Sequence, residues 1–184
     1  MQPRQIEDPD VRLLATITGN LRQDYDDENQ MWDGSPFAWI KTRSSRQSGT
    51  IGEKLVAGWC AAKKLNVLRA PDSQCNRLIE GLRTEIKFST LWQTGMYKFQ
   101  QFRDQRYDIA ICLGLSPFEA HWWVVTKELL NEYVIGVTPQ HVGRSGRDTA
   151  WLSVTSDNEP DWLAECGGRL ADAFPVLQGL TGRA

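Results

Sequence analysis

The stretch that decides the fold runs from Arg77 to Thr90 and has the sequence RLIEGLRTEIKFST. From Leu82 onward, mostly apolar residues alternate with charged or polar ones, namely Arg83, Glu85, Lys87 and Ser89. Because successive side chains of a β-strand point to opposite faces, this alternation predicts a strand with one polar face and one mostly apolar face. Glu85 and Lys87 then point the same way and lie about 7 Å apart along the strand.

The segment before this strand predicts a helix followed by a short strand. Thr50 and Glu53 have the spacing of a helix capping box, and the next apolar residues fall on one helical face: Leu55, Val56, Trp59 and Cys60. We therefore expect a helix from about residue 51 to 65. Residues 66–72 (NVLRAPD) predict a short strand that ends at Pro71 and Asp72.

The segments after this strand alternate between helix and strand patterns. Residues 108–115 (DIAICLGL) form an unbroken apolar run, which is typical of a central strand buried on both faces. We expect helices over 96–107, 127–132 and 161–174, and further strands over 121–126, 133–138 and 148–154. Together these elements predict an α/β fold, in which a mixed central β-sheet is flanked by helices on both faces.

Composition sets the expected number of domains and limits the electrostatics. A chain of 184 residues, of which 41% are hydrophobic, has enough material for one core, so we expect a single domain over residues 1–184. Within it, residues 1–50 are the least regular part: a short helical candidate at 11–21 gives way to a polar stretch. Lys and Arg number 21 against 23 Asp and Glu, and a net charge of -2 provides no global attraction for a polyanion. Any nucleic-acid surface must therefore be local.

The sequence lacks the patterns of membrane and disulfide-bonded proteins. No segment approaches the roughly 18 apolar residues that a membrane span requires, and the first residues have no apolar signal-peptide core. The four cysteines are scattered singly, without the spacing of zinc ligands, which favours reduced thiols. We therefore expect a soluble, cytoplasmic protein.

Asp72, Glu85 and Lys87 together suggest hydrolysis of a phosphodiester. This reaction needs carboxylates that hold a hard cation, which polarises the phosphate and lowers the pKa of the attacking water. A lysine nearby can orient that water, neutralise developing charge or accept a proton, and the sequence leaves these roles open. If the strand that ends at Asp72 pairs with the Glu85 strand as a hairpin-like unit, Asp72 can approach both residues.

These residues also match a family pattern. Pro71-Asp72, a gap of twelve residues, and then Glu85-Ile86-Lys87 resemble the PD-(D/E)xK nuclease superfamily, the fold of many type II restriction endonucleases and several repair nucleases. Members often carry another acidic residue on the helix before the first strand, and Glu53 matches it by position. The resemblance covers about residues 50–126.

The resemblance implies a Mg²⁺-dependent DNA endonuclease, of the type II restriction kind or a subunit of one. It implies catalytic roles for Asp72, Glu85 and Lys87, with Mg²⁺ held by Asp72 and Glu85 and with Glu53 as a further candidate ligand. Two alternatives remain: a repair or recombination nuclease, and a nuclease-like module that binds DNA without cutting it. At the level of residues, Glu85 and Lys87 could form a solvated strand face, Asp72 a turn and Glu53 a helix cap.

The implied partner is double-stranded DNA, and the candidate contacts lie in two basic segments. The first contains Lys41, Arg43 and Arg46, and the second is a Gly-rich loop with Arg144 and Arg147. Trp39 is a candidate for stacking, whereas His121 is expected to be structural. Residues 1–50 are expected to form a DNA-reading or a dimerisation surface, because a double-strand break implies a homodimer or a heteromeric partner.

Overall fold

A computed structural model describes residues 6–138, 149–155 and 158–182 of the chain. Its first part is helical and contains α1 (Pro9–Gln30), α2 (Ala38–Lys41) and α3 (Ser45–Ala62). The side chain of Asp8 caps α1 by accepting hydrogen bonds from the backbone N–H groups of Asp10 and Val11. Residues 9–30 are thus a regular helix, and the expectation of an irregular first part was wrong there. Within the described ranges, no helix combines the length and apolarity needed to cross a membrane.

The centre of the fold is a six-stranded sheet with the order β1-β2-β3-β5-β6-β8. Its strands are β1 (Val67–Arg69), β2 (Arg77–Ile79), β3 (Leu82–Thr90), β5 (Ile109–Leu115), β6 (Ala120–Thr126) and β8 (Gly167–Arg169). Strands β3 and β5 are parallel, and the other neighbours are antiparallel. The predicted mixed sheet is therefore confirmed, and β5 is buried along its whole length, as its unbroken apolar run predicts.

Helices flank this sheet on both faces, also as predicted. Helix α3 and the last helix, α6 (Leu170–Leu180), share one apolar core with Ile86, Ile111 and Trp122. The opposite core contains Leu130 of α4 (Lys127–Tyr133) and Leu163 of α5 (Asp161–Ala164). This second face also carries a two-stranded antiparallel sheet of β4 (Met96–Phe102) and β7 (Ala150–Thr155), which the sequence did not predict as a separate layer.

The helix predicted over 96–107 was wrong, because residues 96–102 form strand β4. Tyr97 and Phe99 are buried beneath the small sheet, while Lys98 between them is only partly buried. This period of two is a strand signal. The glycine at position 95 starts β4 from a left-handed turn (φ 74°) rather than starting a helix.

The closing helix and one predicted strand also differ from expectation. Gly167 and Gly168 adopt φ of 135° and 106° and pair with β6, so the helix predicted over 161–174 is split into α5 and α6. A Cβ at position 167 would lie 2.5 Å from the carbonyl oxygen of Trp122, so glycine allows this close pairing. Residues 134–138 form a turn after α4 rather than a strand.

Candidate active site

The polar face of β3 opens into a cleft of about 670 Å³. Its walls come from the first half of α3, the loop before it and strand β4. The charged residues that line it are Lys41, Arg43, Arg46, Glu53, Glu85, Lys87 and Lys98. The cleft therefore contains two carboxylates and several cations in one concave surface, which is the usual form of a ligand or active site.

Glu85 and Lys87 form an ion pair at the base of this cleft. Nζ of Lys87 lies 2.8 Å from Oε1 of Glu85, and the two side chains are only 13% and 12% exposed. The same Nζ donates a 2.8 Å hydrogen bond to the carbonyl oxygen of Gln101 and lies 5.4 Å from the ring centroid of Phe102. Both side chains point toward β4, because their register partners on β5, Ala110 and Cys112, belong to the core beneath the small sheet.

Glu53 reaches the same cleft from helix α3. The capping box of this helix is formed by Ser44 and Gln47, so the box predicted at Thr50 and Glu53 was wrong. Glu53 instead lies in the third turn of the helix and accepts a 2.9 Å hydrogen bond from Nδ2 of Asn76. Its other oxygen lies 3.6 Å from Nη1 of Arg77. The residue therefore has no capping role and is available to the cleft.

Burial raises the pKa of Glu53, and the negative charge of Glu85 raises it further. Three groups lower the pKa of Glu53 without reversing the shift: Arg77, the hydrogen bond from Asn76, and Lys87. The two carboxylates thus repel each other electrostatically across the cleft. A cation that neutralised both would stabilise their charged forms.

A glycine brings α3 close enough to place Glu53 there. Gly52 is buried, and a Cβ on it would overlap the Cβ of Phe88 and lie 2.5 Å from its Cγ. The absence of a side chain lets α3 lie directly on β3. The adjacent Glu53 consequently projects beside the polar residues of that strand.

Asn76 is a cleft residue that sequence reasoning missed. Its Nδ2 donates to Glu53, and its Oδ1 accepts a 2.7 Å hydrogen bond from the backbone N–H of Ile86. Arg77 pairs with Thr84, so extending this antiparallel register by one residue places Asn76 opposite Glu85. The signal that could have found it is the Glu80-Gly81 pair, whose φ values of 51° and 86° make a two-residue hairpin turn between β2 and β3.

The structure does not bring Asp72 into the cleft with Glu85 and Lys87. Asp72 lies in the loop before β2, where its Oδ1 accepts a 2.6 Å hydrogen bond from Nη2 of Arg83 and another from the backbone N–H of Gln74. The Gln74 bond, followed by the Arg83 bond, lowers the pKa of Asp72. Arg83 lies two residues before Glu85 on the same face of β3 and is therefore nearer to the loop that contains Asp72. Its side chain pairs with Asp72 there. The catalytic role of Asp72 stays a prediction.

The first of the two predicted basic segments lies at the cleft. Lys41, Arg43 and Arg46 line it, and the guanidinium of Arg43 lies 5.7 Å from the ring centroid of the half-exposed Trp39. Lys98, which the sequence did not single out, lies 4.0 Å from the ring centroid of Trp92 at the same cleft. Arg144 and Arg147 of the second segment lie outside the described residues. His121 hydrogen-bonds the hydroxyl of buried Tyr97 at 2.9 Å and stacks on Trp123, in agreement with the structural role expected for it.

The acidic groups of the cleft fit a magnesium ion. Among the described residues, no group of three or more His, Cys, Asp or Glu side chains is placed to hold a metal. Mg²⁺ does not require one, because proteins usually hold it through one or two carboxylates while water and substrate phosphates complete its shell. Glu53 and Glu85, which line the same cleft, provide that number of carboxylates.

Comparisons with known proteins relate this fold to a nuclease. No family model matches the sequence, and the search of curated proteins finds no match. Among solved structures, the chain is similar to the bacterial homing endonuclease I-Ssp6803I, with a TM-score of 0.51 and 14% sequence identity. The similarity covers 76% of this chain and 94% of that chain. The chain therefore has a nuclease-like fold, and at this identity the likeness concerns the fold alone.

Proposed function

We propose that the chain is a Mg²⁺-dependent DNA endonuclease of the PD-(D/E)xK type, which hydrolyses phosphodiester bonds in the cleft above β3. The observation that carries this proposal is the partly buried Glu85–Lys87 pair, with the charge of Glu53 acting on it and basic residues along the same cleft. This arrangement occurs in a fold similar to that of a homing endonuclease. Endonuclease activity explains both the fold and the charges. DNA binding alone does not explain why two partly buried carboxylates face a polyanion.

In this mechanism Glu53 and Glu85 would hold the cation. When bound, Mg²⁺ would polarise the scissile phosphate and lower the pKa of the attacking water. Asn76 fixes the orientation of Glu53 by donating to one of its oxygens and leaves the other oxygen toward Arg77. Glu53 is thus oriented before substrate arrives.

Lys87 acts at the reacting phosphate in the same mechanism. Its ammonium lies at the base of the cleft, where it can orient the attacking water and stabilise the negative charge that develops on the phosphate. Arg43, Arg46 and Lys41 contact the phosphates that flank the scissile bond. These contacts give affinity that does not depend on sequence, in keeping with the locally basic surface of a chain whose net charge is -2.

Within this class we propose double-stranded DNA as the substrate and cleavage of the restriction kind. Because one active site cuts one strand, a double-strand break requires two copies of the chain or a second subunit. Sedimentation with and without duplex DNA measures that requirement. Comparing plasmid, four-way-junction and mismatched substrates separates restriction-like cleavage from repair or recombination.

The test of the activity is cleavage of plasmid DNA by the purified chain with Mg²⁺. Glu85→Ala and Lys87→Ala are each expected to slow cleavage by about a hundredfold or more, with an unchanged circular dichroism spectrum. Lys54→Met is the matched control, because Lys54 follows Glu53 on α3 but is exposed and does not line the cleft. Full activity in both the Glu85 and Lys87 variants would exclude this assignment.

A further inference from the structure

Strand β4 contains an irregularity where it passes the proposed catalytic lysine. Phe99 pairs with Leu152 and Phe102 pairs with Ala150, so three steps along β4 match two along β7. One extra residue is therefore accommodated in β4, which defines a β-bulge. Within it, Gln101 has a φ of 61°, a left-handed conformation that is uncommon for a non-glycine residue.

The bulge turns one backbone carbonyl toward the cleft. In a regular strand, the carbonyl groups point along the sheet toward the neighbouring strand, and the extra residue of a bulge is left out of that ladder. The carbonyl oxygen of Gln101 instead accepts a 2.8 Å hydrogen bond from Nζ of Lys87. The next residue, Phe102, contributes its ring face to the same ammonium at 5.4 Å.

Lys87 is thereby held from two sides. A lysine side chain has a flexible four-carbon stem, so its ammonium has no fixed position without partners. Oε1 of Glu85 binds it from its own strand, and the Gln101 carbonyl binds it from β4, each at 2.8 Å. Because Glu85 is also a proposed cation ligand, a bound cation would compete with Lys87 for its carboxylate. The Gln101 carbonyl does not have that competing role.

We infer that Gln101 is a positioning residue, whose left-handed backbone rather than its amide side chain keeps Lys87 in the reactive position. This inference rests on the proposed function, because it assigns the bulge a role in the chemistry of Lys87. Strained conformations of this kind persist where the surrounding structure imposes them and are concentrated at functional sites. Gln101 lines the cleft, so the experiment must separate its side-chain amide from its backbone.

A substitution series at position 101 makes that separation. Glycine and asparagine adopt positive φ readily, whereas the β-branched valine does so at a large cost. Gln101→Gly and Gln101→Asn are expected to keep kcat within about threefold of the unsubstituted chain, and Gln101→Val to lower it by about tenfold or more. KM for DNA is expected to change by less than about threefold throughout, because the phosphate contacts are unaffected.

Lys64 provides the matched control for backbone strain. It has a φ of 63°, lies after helix α3 and does not line the cleft. Lys64→Val therefore introduces the same conformational penalty elsewhere and is expected to lower Tm as Gln101→Val does, without changing kcat. A kcat loss shared by both valine variants would reduce the role of Gln101 to general stability.

A second measurement does not depend on cleavage. Nitrogen-15 NMR of lysine side chains detects an ammonium that is hydrogen-bonded and protected from exchange. The Lys87 signal is expected to persist in the Gly and Asn variants and to be lost in Gln101→Val. Its persistence in the valine variant would overturn the inference even if the chain cuts no DNA.

The possible outcomes distinguish the inference from the proposed function. If Lys87→Ala abolishes cleavage while Gln101→Val retains it, the positioning role is wrong and the nuclease proposal survives. If Gln101→Gly is as slow as Gln101→Val, the amide side chain is the functional group and the backbone assignment is overturned. If the unsubstituted chain cuts no DNA with Mg²⁺, the proposed function fails, and the NMR series alone decides whether the bulge fixes Lys87.

Discussion

Nδ2 of Asn76 donates a 2.9 Å hydrogen bond to Oε1 of Glu53 and thereby connects the start of β2 to helix α3. The oxygen of the same amide accepts a 2.7 Å bond from the backbone N–H of Ile86 on β3. One side chain thus connects α3, the start of β2 and β3 at the cleft. An amide suits this position because it supplies a donor and an acceptor at once.

Substituting Asn76 tests this connection. Asn76→Leu removes both bonds, leaves the Ile86 N–H without its acceptor and is expected to lower the free energy of unfolding by about 1–3 kcal/mol. It should also weaken Mg²⁺ binding, because Glu53 loses its orienting donor. Asn76→Asp keeps the acceptor but adds a carboxylate, so it should bind Mg²⁺ more tightly while destabilising the metal-free chain. Calorimetric titration with Mg²⁺ and thermal unfolding measure both effects, and wild-type affinity in Asn76→Leu would contradict the first.

The raised pKa of Glu53 predicts a pH-dependent stability. A carboxyl whose folded-state pKa lies above its unfolded value binds its proton more tightly in the folded chain. The contribution of Glu53 to stability is therefore greatest below the ordinary carboxyl pKa of 4.5 and decreases as pH rises through its raised pKa. Glu53→Gln removes the charge and keeps an oxygen for Asn76, so it should raise Tm at pH 7 without metal and have little effect near pH 4. A lower Tm at pH 7 would show that the Arg77 pair outweighs the burial cost.

Gly52 and Gly58 lie on the same helix and give opposite predictions. A Cβ at Gly52 meets Phe88, so Gly52→Ala should push α3 away from β3 and destabilise the fold by about 1–3 kcal/mol. Nothing lies within 4 Å of a Cβ at Gly58, so Gly58→Ala should stabilise the helix by up to about 1 kcal/mol. Chemical denaturation measures both values. The displacement of α3 in Gly52→Ala also moves Glu53, so Mg²⁺ affinity should fall in this variant and not in Gly58→Ala. Equal stability of the two variants would refute the close packing of α3 on β3.

The sheet was predictable where the pattern of the strand itself determines burial. The alternation around Glu85 and Lys87 and the unbroken apolar run of β5 were both correct. Strand β4 was not recognised, because the glutamines in its bulge interrupt the period of two that Tyr97 and Phe99 begin. The small sheet also depends on pairing with β7, about fifty residues away, which no local pattern encodes.

The site was predictable on one strand and not across the loop before it. Strand geometry alone places Glu85 and Lys87 on one face, as the sequence predicts, whereas their 2.8 Å ion pair is visible only in the structure. The position of Asp72 depends on which side chain of β3 contacts the loop before β2. Arg83 makes this contact, and Glu85 does not. Asn76 was missed because Glu80 and Gly81 were not recognised as a hairpin turn that pairs the segment before them with β3.

Asp72→Asn decides between the sequence-based and the structural placement of this residue. Asp72 is 40% exposed and paired with Arg83, so the substitution is expected to cause a small loss of stability and to keep cleavage within a few-fold of the unsubstituted chain. Plasmid cleavage measured beside Glu85→Ala provides the comparison. Loss of cleavage with intact DNA binding would instead support the catalytic role predicted from the Pro71-Asp72 motif, and would require the Arg83 pair to open in the reacting complex.

The basic side of the cleft predicts how DNA affinity depends on salt. Each phosphate neutralised by an Arg or Lys releases counterions, so the logarithm of affinity falls with the logarithm of salt concentration by about 0.9 per contact. Arg46→Ala should weaken binding of duplex DNA uniformly across sequences and reduce this slope by about one contact. Arg69→Ala is the matched control, because Arg69 is exposed on β1 and does not line the cleft. Fluorescence anisotropy in Ca²⁺ at several salt concentrations gives both slopes, and an equal loss in the two variants would show that DNA does not follow this cleft.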